Sequence, residues 1–558
     1  MPEPAVIETT GARRARAWFA IALGTLLITL VAGLLVPVYS DETGWRFQER
    51  AGIDGFDILF SDLCGPNTIA TAPWHMMTVR WFSAAANLTF ASPFFIRLEG
   101  VLCALAWLVM VGLLLLRLEP ARERRLQLGT IAAGLLSLGT LPFLLVLSRP
   151  EQPLILTTAL ILLVTFWRPP SHTITPFSAL AKIAPIVILT VIAQSYHMKG
   201  VLYAVIACTA ILVCAQGPRT LLPRALGLAA VITVMLASAH YWTARLACPG
   251  NAAIAAMYAH ENVASALAEG KGLGNAVQTL LAGASPLNYV ALTVPTGAPM
   301  SSWLPPGHVP TLVTVVYRLG LPLCWGAAIV AALLSLTMHI RANGLRSLFE
   351  PRPLLALALL GCVAIWGASQ LNRNVYEAGH VLPALVLATL LALTLPRAAR
   401  GRWMARATVG VTIIGAASQL FLLAAFVPPL AAAAHTPGYV SGQPYSASIA
   451  DYAPVRQDIH SAMVAAGIPQ GRTLNRVMVD EVTYLALQDT RLPIHRLGVL
   501  SVWNGGLADP VGYLLSRGSD GIVIGCHLLP ARLRQAAARS GPICALSAKT
   551  LDRLRGAP

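Results

Sequence analysis

The chain has 558 residues, of which 56% are hydrophobic and only 11% charged, with a mean hydropathy of +0.66. A water-soluble globule cannot hide that much apolar surface, so the composition points to a polytopic membrane protein. The formal net charge of +16 would suit a nucleic-acid binder. Instead, the basic residues collect in short alternate loops, among them Arg117, Arg122, Arg124 and Arg125, then Arg219 and Arg224, then Arg341, Arg346 and Arg352. That is the positive-inside pattern, which orients a membrane chain and calls for no nucleic acid.

The apolar runs read as about eleven spans of roughly 16–25 residues, the length that crosses a ~30 Å hydrocarbon core. They lie near 17–38, 97–116, 128–148, 152–167, 183–198, 200–216, 225–243, 311–338, 354–371, 381–396 and 408–428. The first run is long and lacks a small-residue cleavage pattern, so it is expected to stay as a helix rather than leave as a signal peptide. An odd number of spans puts the N-terminus in the cytoplasm and everything after Val427 outside. The expected architecture is a polytopic α-helical membrane module over 1–428, followed by an extracytoplasmic α/β domain over 429–558.

Three outward segments are long enough to fold. The first, 39–96, has amphipathic pieces around 43–60 and 74–88, suited to short helices in the interface plane. The second, 244–310, carries helical pieces near 252–268 and 274–283 and a Pro/Gly-rich end at Ser301–Gly307. Long ordered loops of this kind tend to be lids or binding elements. In the third, 429–558, the strand-like runs Arg476–Asp480 and Gly521–Gly525 each precede a helical stretch, the alternation of a partly parallel sheet. No internal repeat is evident. Cys64, Cys248, Cys526 and Cys544 fall on the outer side, where Cys526 with Cys544 is the plausible disulfide and Cys64 with Cys248 the less secure one. Cys103, Cys208, Cys214, Cys324 and Cys362 fall in or beside spans and read as small apolar fillers.

Chemistry at a membrane face needs polar groups there. Asp41 and Glu42 follow the first span without a spacer, and adjacent carboxylates cannot sit deep in hydrocarbon without partners. Arg149 and Glu151 lie in the turn before the fourth span, His197 and Lys199 in the turn after the fifth, and Arg373, Tyr376 and His380 in the turn after the ninth. These turns are short, so the groups converge on one outward cavity if the spans pack as a bundle. Each group also has an ordinary explanation. Asp41 and Glu42 suit a hydrated loop start, Arg149 and Glu151 a local ion pair or a helix N-terminal acid, and Lys199 a side chain snorkelling to headgroups. Tyr376 and His380 suit an aromatic belt.

A resemblance weighs against those ordinary readings. The acidic pair after span one, Ser92–Leu98 leading into span two, Arg149-Pro150-Glu151, Lys199-Gly200 and Tyr376 ahead of Leu382-Pro383 together resemble the GT-C superfamily of membrane glycosyltransferases. Leu141-Pro142-Phe143 ahead of Arg149 is similar to the mycobacterial arabinosyltransferases, while the first loop is closer to the general lipid-linked-sugar type, such as mannosyltransferases, and both remain open. The resemblance covers roughly 17–400 as architecture and is specific only in the first two hundred residues. It implies inverting transfer of a sugar from a polyprenyl-phosphate donor to a hydroxyl of a glycan, lipid or protein acceptor, at the outer face of the cytoplasmic (inner) membrane. By position, Asp41 is the implied general base with Glu42 assisting, and Lys199, Arg149 and Arg373 meet the departing phosphate. Glu151, His197, Tyr376 and His380 are then expected to contact substrate. Asp41, Glu42 and Glu151 would suit Mg²⁺ or Mn²⁺ were they to meet, and no metal is assigned. The competing classes are a transporter or flippase of lipid-linked sugars, a glycan ligase or polymerase, and a membrane scaffold whose terminal domain binds partners. Transport would call for polar residues midway through several spans, and the runs carry few.

Overall fold

The computed structural model describes residues 10–35, 38, 42–47, 83, 85–167, 175–197, 199–250, 252, 255–256, 311–368, 378–396, 402–435, 438–440, 443–445, 451–496, 509–516 and 518–555. Each apolar run of the sequence is mostly helical over its described residues. In chain order the helices are α1 (Thr10–Ala32), α2 (Leu98–Leu118), α3 (Arg122–Leu136), α4 (Leu141–Leu145), α5 (Glu151–Phe166) and α6 (Pro176–Tyr196). They continue as α7 (Gly200–Cys214), α8 (Leu221–Leu246), α9 (Thr311–Asn343), α10 (Pro351–Ala368), α11 (Ala378–Leu393) and α12 (Arg402–His435).

The helices sort into two kinds by the distribution of their apolar residues. Helices α5, α7 and α11 are apolar all round and largely buried, which is the signature of a helix enclosed by other helices. Among the described residues, six helical segments are long and apolar enough to cross a membrane: Thr10–Ala32, Pro93–Leu118, Pro176–Tyr196, Pro218–Ala244, Gly320–Asn343 and Trp403–Ala424. Several of these present leucines and isoleucines outward, such as Leu102, Ile188, Leu236 and Leu420. Glu151–Phe166, Gly200–Cys214, Pro351–Trp366 and Val381–Leu393 are shorter apolar helices. A helix wrapped in protein needs no full hydrocarbon length, since its neighbours and not lipid surround it. The protein is thus a multi-pass membrane protein in which an outer layer of long helices encloses a shorter centre.

The third apolar run, expected as one span over 128–148, is broken. Helix α3 stops at Leu136, Gly139 adopts a positive φ of 61°, and α4 resumes with Pro142 in its first turn, where a missing N–H costs nothing. A break inside the bundle exposes backbone groups that no water can reach. The last helix satisfies them. Gln419 Nε2 donates to the carbonyls of Ser137 and Gly139, the latter at 2.7 Å, and the Gly139 N–H donates to Ser418 Oγ at 3.1 Å.

Beyond α12, which runs to His435, lies a hairpin of β1 (Gly438–Val440) and β2 (Gln443–Tyr445) and then the terminal α/β fold. Its elements are α13 (Ala453–Ala465), β3 (Val477–Val479), α14 (Glu481–Leu487), β4 (Ile494–Arg496), α15 (Pro510–Ser516), β5 (Gly521–Gly525), α16 (Ala531–Ala536), β6 (Ala538–Ser540), β7 (Ile543–Ser547) and α17 (Ala548–Arg555). The sheet runs in the order β4-β3-β5-β7-β6, with β4, β3 and β5 parallel and β7 and β6 antiparallel. This is the partly parallel sheet that the two apolar runs suggested. Val477, Val479 and Val523 pack beneath α13, while Met478, Ile522 and Ile524 face Leu514 of α15 and Leu551 of α17. A sheet covered on both faces needs continuous apolar strands, and these have them.

Asp480 ends β3 and caps α14, accepting from the N–H groups of Val482, Thr483 and Gly525. Burial pushes its carboxyl above the ordinary carboxylate range, against the opposing pull of those hydrogen bonds. Cys526 and Cys544 form the expected disulfide between the end of β5 and β7. Cys248 is also disulfide-bonded, and its expected partner Cys64 lies outside the described residues.

Replacing Gln419 by leucine leaves two carbonyls unsatisfied at the α3 break, and should destabilise the detergent-purified protein by about 1–2 kcal/mol. Thermal unfolding read by intrinsic fluorescence would register this as a lowered midpoint, and an unchanged midpoint would mean that the break does not depend on α12.

Candidate active site at one end of the bundle

The polar groups singled out in the sequence meet where short segments enter and leave the bundle. Glu42 sits at the start of a short helix, 42–47, and is fully buried. Arg97, equally buried, ends the turn Pro93–Arg97 that feeds α2. Its guanidinium grips Glu42 with two bonds, Nε to Oε1 at 3.0 Å and Nη2 to Oε2 at 2.9 Å, and its Nη1 donates to the Gly33 carbonyl at 2.5 Å. The Ser148 N–H donates to Glu42 Oε1 at 3.1 Å. This paired arrangement meets the requirement for burying charge, because both ions are neutralised and hydrogen-bonded at once.

Gly100 lets α2 come this close. A Cβ there would lie 2.3 Å from the Val146 carbonyl oxygen, so any side chain would push the 146–148 turn away. The Gly100 N–H donates to Ser148 Oγ at 3.3 Å.

One residue further on, Arg149 Nη2 donates to Glu151 Oε1 at 3.1 Å, and Lys199 Nζ donates to the same oxygen at 3.0 Å. All three side chains are at most one-tenth exposed. Glu151 occupies the first turn of α5, where the helix dipole favours an acid. Lys199 precedes α7 in a tight reversal from α6. Gly200 is required there, since a Cβ would meet the Ala193 carbonyl oxygen at 2.8 Å. The Lys199 ammonium also lies 5.8 Å from the ring centre of Trp366 on α10. His197 Nδ1 accepts from the Lys199 N–H at 3.2 Å, and its ring stands 6.3 Å from that of Trp242.

An aromatic and hydroxyl group borders the ions. Trp45 lies 6.4 Å from Tyr196, whose hydroxyl is 3.1 Å from Ser83 Oγ, and Ser83 donates to Glu99 Oε1 at 2.9 Å. At the far end of the 42–47 helix, Phe47 stacks edge-on against Tyr484 and His495 of the terminal domain, at 5.7 and 4.8 Å between ring centres. Val38 and Ile96 join the same apolar cluster as α13. The segment carrying Glu42 is therefore held between the bundle and the terminal domain.

Of the residues chosen from sequence, Glu42, Arg149, Glu151, His197 and Lys199 lie within this region, and Arg149, Glu151 and Lys199 touch. Asp41, Arg373 and Tyr376 lie outside the described residues, and His380 falls in the first turn of α11. Glu42, expected beside Asp41 in the chemistry, has both carboxylate oxygens engaged by Arg97. Sequence reasoning gave Arg97 no role, although an arginine at the first position of an apolar span is a signal that it must find an anion. Trp45, Ser83 and Tyr196 carry no such signal, because interfacial aromatics and hydroxyls are common, whereas Glu99, inside the run 97–116, carries the corresponding one.

Among the described residues no group of three or more His, Cys, Asp or Glu side chains could hold a metal ion. Both oxygens of Glu42 and Oε1 of Glu151 are engaged by cations, and Asp41, the third expected ligand, lies outside the described residues.

No protein-family model matches the chain, and no curated protein is matched. Solved structures do show a likeness. One is ArnT from Cupriavidus metallidurans bound to undecaprenyl phosphate, at a TM-score of 0.47 and 13% identity, covering 95% of this chain and 98% of that one. Another is the archaeal oligosaccharyltransferase AglB from Archaeoglobus fulgidus in complex with an inhibitory peptide and a dolichol-phosphate, at 0.41 and 13%, covering 91% of this chain and 69% of that one. A third is the Archaeoglobus fulgidus oligosaccharyltransferase tethered with an acceptor peptide, at 0.41 and 13%, covering 96% and 72%. At such scores the likeness carries no argument, and the chemistry rests on this chain's own side chains.

Removing one partner of the Glu42–Arg97 pair strands a buried charge, a loss of about 3–5 kcal/mol. Arg97→Ala is accordingly expected to lower the unfolding midpoint more than Glu42→Gln combined with Arg97→Met, which removes both charges. A double-mutant comparison by thermal unfolding checks this, and equal losses would mean that the pair is not what holds the segment.

Proposed function

We propose that the chain is a GT-C-like membrane glycosyltransferase that moves a sugar from a polyprenyl-phosphate donor to an acceptor hydroxyl, with inversion. The observation that carries this reading is the meeting of Lys199 and Arg149 on Glu151, two cations held together at the end of a membrane bundle. A phosphate on a long isoprenoid tail stays in the bilayer, since each buried methylene contributes about 0.8 kcal/mol to its retention. The site must come to the lipid.

In this mechanism Asp41 takes the proton of the acceptor hydroxyl as its oxygen bonds to the anomeric carbon, while the bond from that carbon to the phosphate oxygen breaks. Lys199 and Arg149 balance the charge that develops on the leaving phosphate, with Arg373 as a further helper. Glu151 keeps the two cations aimed and His197 orients the lysine turn. Glu42, held by Arg97, fixes the segment that presents Asp41. Tyr376 and His380 contact the substrate from the entry to α11, and 429–558 binds the acceptor.

The proposed placement is the cytoplasmic membrane, N-terminus inside and terminal domain outside. Two features support it. Arg117, Arg122, Arg124 and Arg125 cluster around the end of α2 opposite Arg97, as the positive-inside rule asks. The Cys526–Cys544 disulfide suits an oxidising compartment.

A second reading, a flippase of lipid-linked sugars, draws on the broken α3 and α4, because transporters use discontinuous helices. The closure of that break by Ser418 and Gln419 favours the enzyme.

Purified protein in detergent should transfer sugar from one member of a polyprenyl-phosphate-sugar panel. Asp41→Asn is expected to slow transfer by about 10²–10⁴-fold and Lys199→Gln by about 10²-fold or more. Unimpaired transfer by Asp41→Asn would remove the base assignment. Movement of labelled lipid-linked sugar across vesicles without transfer would favour the flippase.

A further inference from the structure

A second cationic site lies at the other end of α2. That helix begins beside Arg97 and runs 21 residues to Leu118, so its far end is roughly 30 Å from the Glu42–Arg97 pair at 1.5 Å per residue. There a cleft of about 430 Å³ opens between the α2–α3 turn, the start of α10 and the end of α11. Arg117, Arg124, Arg352 and Glu119 line it, so three guanidiniums face one carboxylate.

Each guanidinium is positioned in advance. Arg124 Nη2 donates to the Leu393 carbonyl at 2.6 Å, and Arg352 Nη1 donates to the Thr394 carbonyl at 2.8 Å, both at the C-terminal end of α11. Arg124 also meets Glu119 at 3.1 Å. The Arg117 guanidinium carbon stands 4.2 Å from the ring centre of Trp167. Capping helix carbonyls accounts for Arg124 and Arg352. It does not account for Arg117, which touches an indole, nor for the open volume between them. Leu116 of the lining is about half exposed, as is Trp167 beside Arg117, so the cleft has an apolar edge next to its cations. Planar, fixed guanidiniums around an open cleft at an apolar rim are what recognise a phosphate oxygen cluster.

We propose that this cleft binds a phosphate-bearing anion, on the face of the bundle opposite the candidate active site. The anion is either the headgroup of an anionic phospholipid, entering past Leu116 and Trp167, or a soluble phosphate. Neither the proposed transfer reaction nor its donor uses this cleft, so the two ideas fail independently.

The test uses the purified full-length protein, titrated with phosphatidylglycerol or phosphatidylcholine and read by native mass spectrometry, with inorganic phosphate followed by thermal unfolding. Arg117→Gln removes a cation that caps no carbonyl, so folding is spared, and Arg352→Gln is the second variant. A phospholipid source predicts preferential retention of phosphatidylglycerol, weakened roughly fivefold for each guanidinium removed. A soluble source predicts that inorganic phosphate raises the unfolding midpoint of the wild type and not of Arg117→Gln, with no preference between lipids. If neither ligand is favoured, or if both substitutions leave the responses unchanged, the proposal is overturned.

Discussion

The buried ion pair of Glu42 and Arg97 is the constraint on which this end of the bundle depends. Two charges at zero exposure are tolerable because they are paired and further hydrogen-bonded: two bonds between them, one from the Ser148 N–H and one to the Gly33 carbonyl. The contacts come from four separate places, namely the end of α1, the 42–47 helix, the entry to α2 and the turn before α5. Desolvation makes such a pair a poor source of net stability, and its worth lies in the single geometry it permits. A segment tied in this way cannot slide along the membrane surface as an ordinary interfacial helix would.

The terminal domain fixes the same segment from the opposite side. Phe47 lies between Tyr484 and His495, while Arg46 donates to the carbonyls of Asn87 and Phe90. Over six residues the chain alternates between a polar tie to the bundle and an apolar tie to the domain. Any shift of the domain therefore acts on the helix that begins one residue after Asp41. In the proposed reaction, this is how acceptor binding by the domain would reach the base.

The cation cluster depends on the bundle in a different manner. Arg149 and Lys199 belong to turns separated by two helices, and they meet because α5, α6 and α7 pack against one another with close reversals at their ends. Helices apolar all round can be enclosed and short, so their termini fall near one level and carry their polar turns with them. The same enclosure explains Gln419 and Ser418, polar side chains mid-helix that a hydropathy pattern treats as blemishes. Their role is to supply hydrogen bonds where α3 breaks and lipid offers none.

The membrane class, the helices and the terminal α/β unit with its Cys526–Cys544 bridge were legible in the residues themselves, because apolar runs, strand and helix periods and cysteine placement are local properties. Candidate site residues were legible as types: charged groups in turns of a few residues between apolar runs are conspicuous. Their partners were not. Nothing in the spacing of Glu42 and Arg97, or of Glu151 and Lys199, says that they touch, since each pair is far apart in sequence and joined only by helix packing. The break in the run 128–148 was hidden for the same reason. Its apolar side chains look continuous, and the groups that make a bend tolerable sit on α12. Composition and periodicity thus decided where the chain is apolar and what each segment becomes, while tertiary packing alone decided which buried charges and carbonyls are satisfied, because a low-dielectric interior makes pairing a non-local requirement.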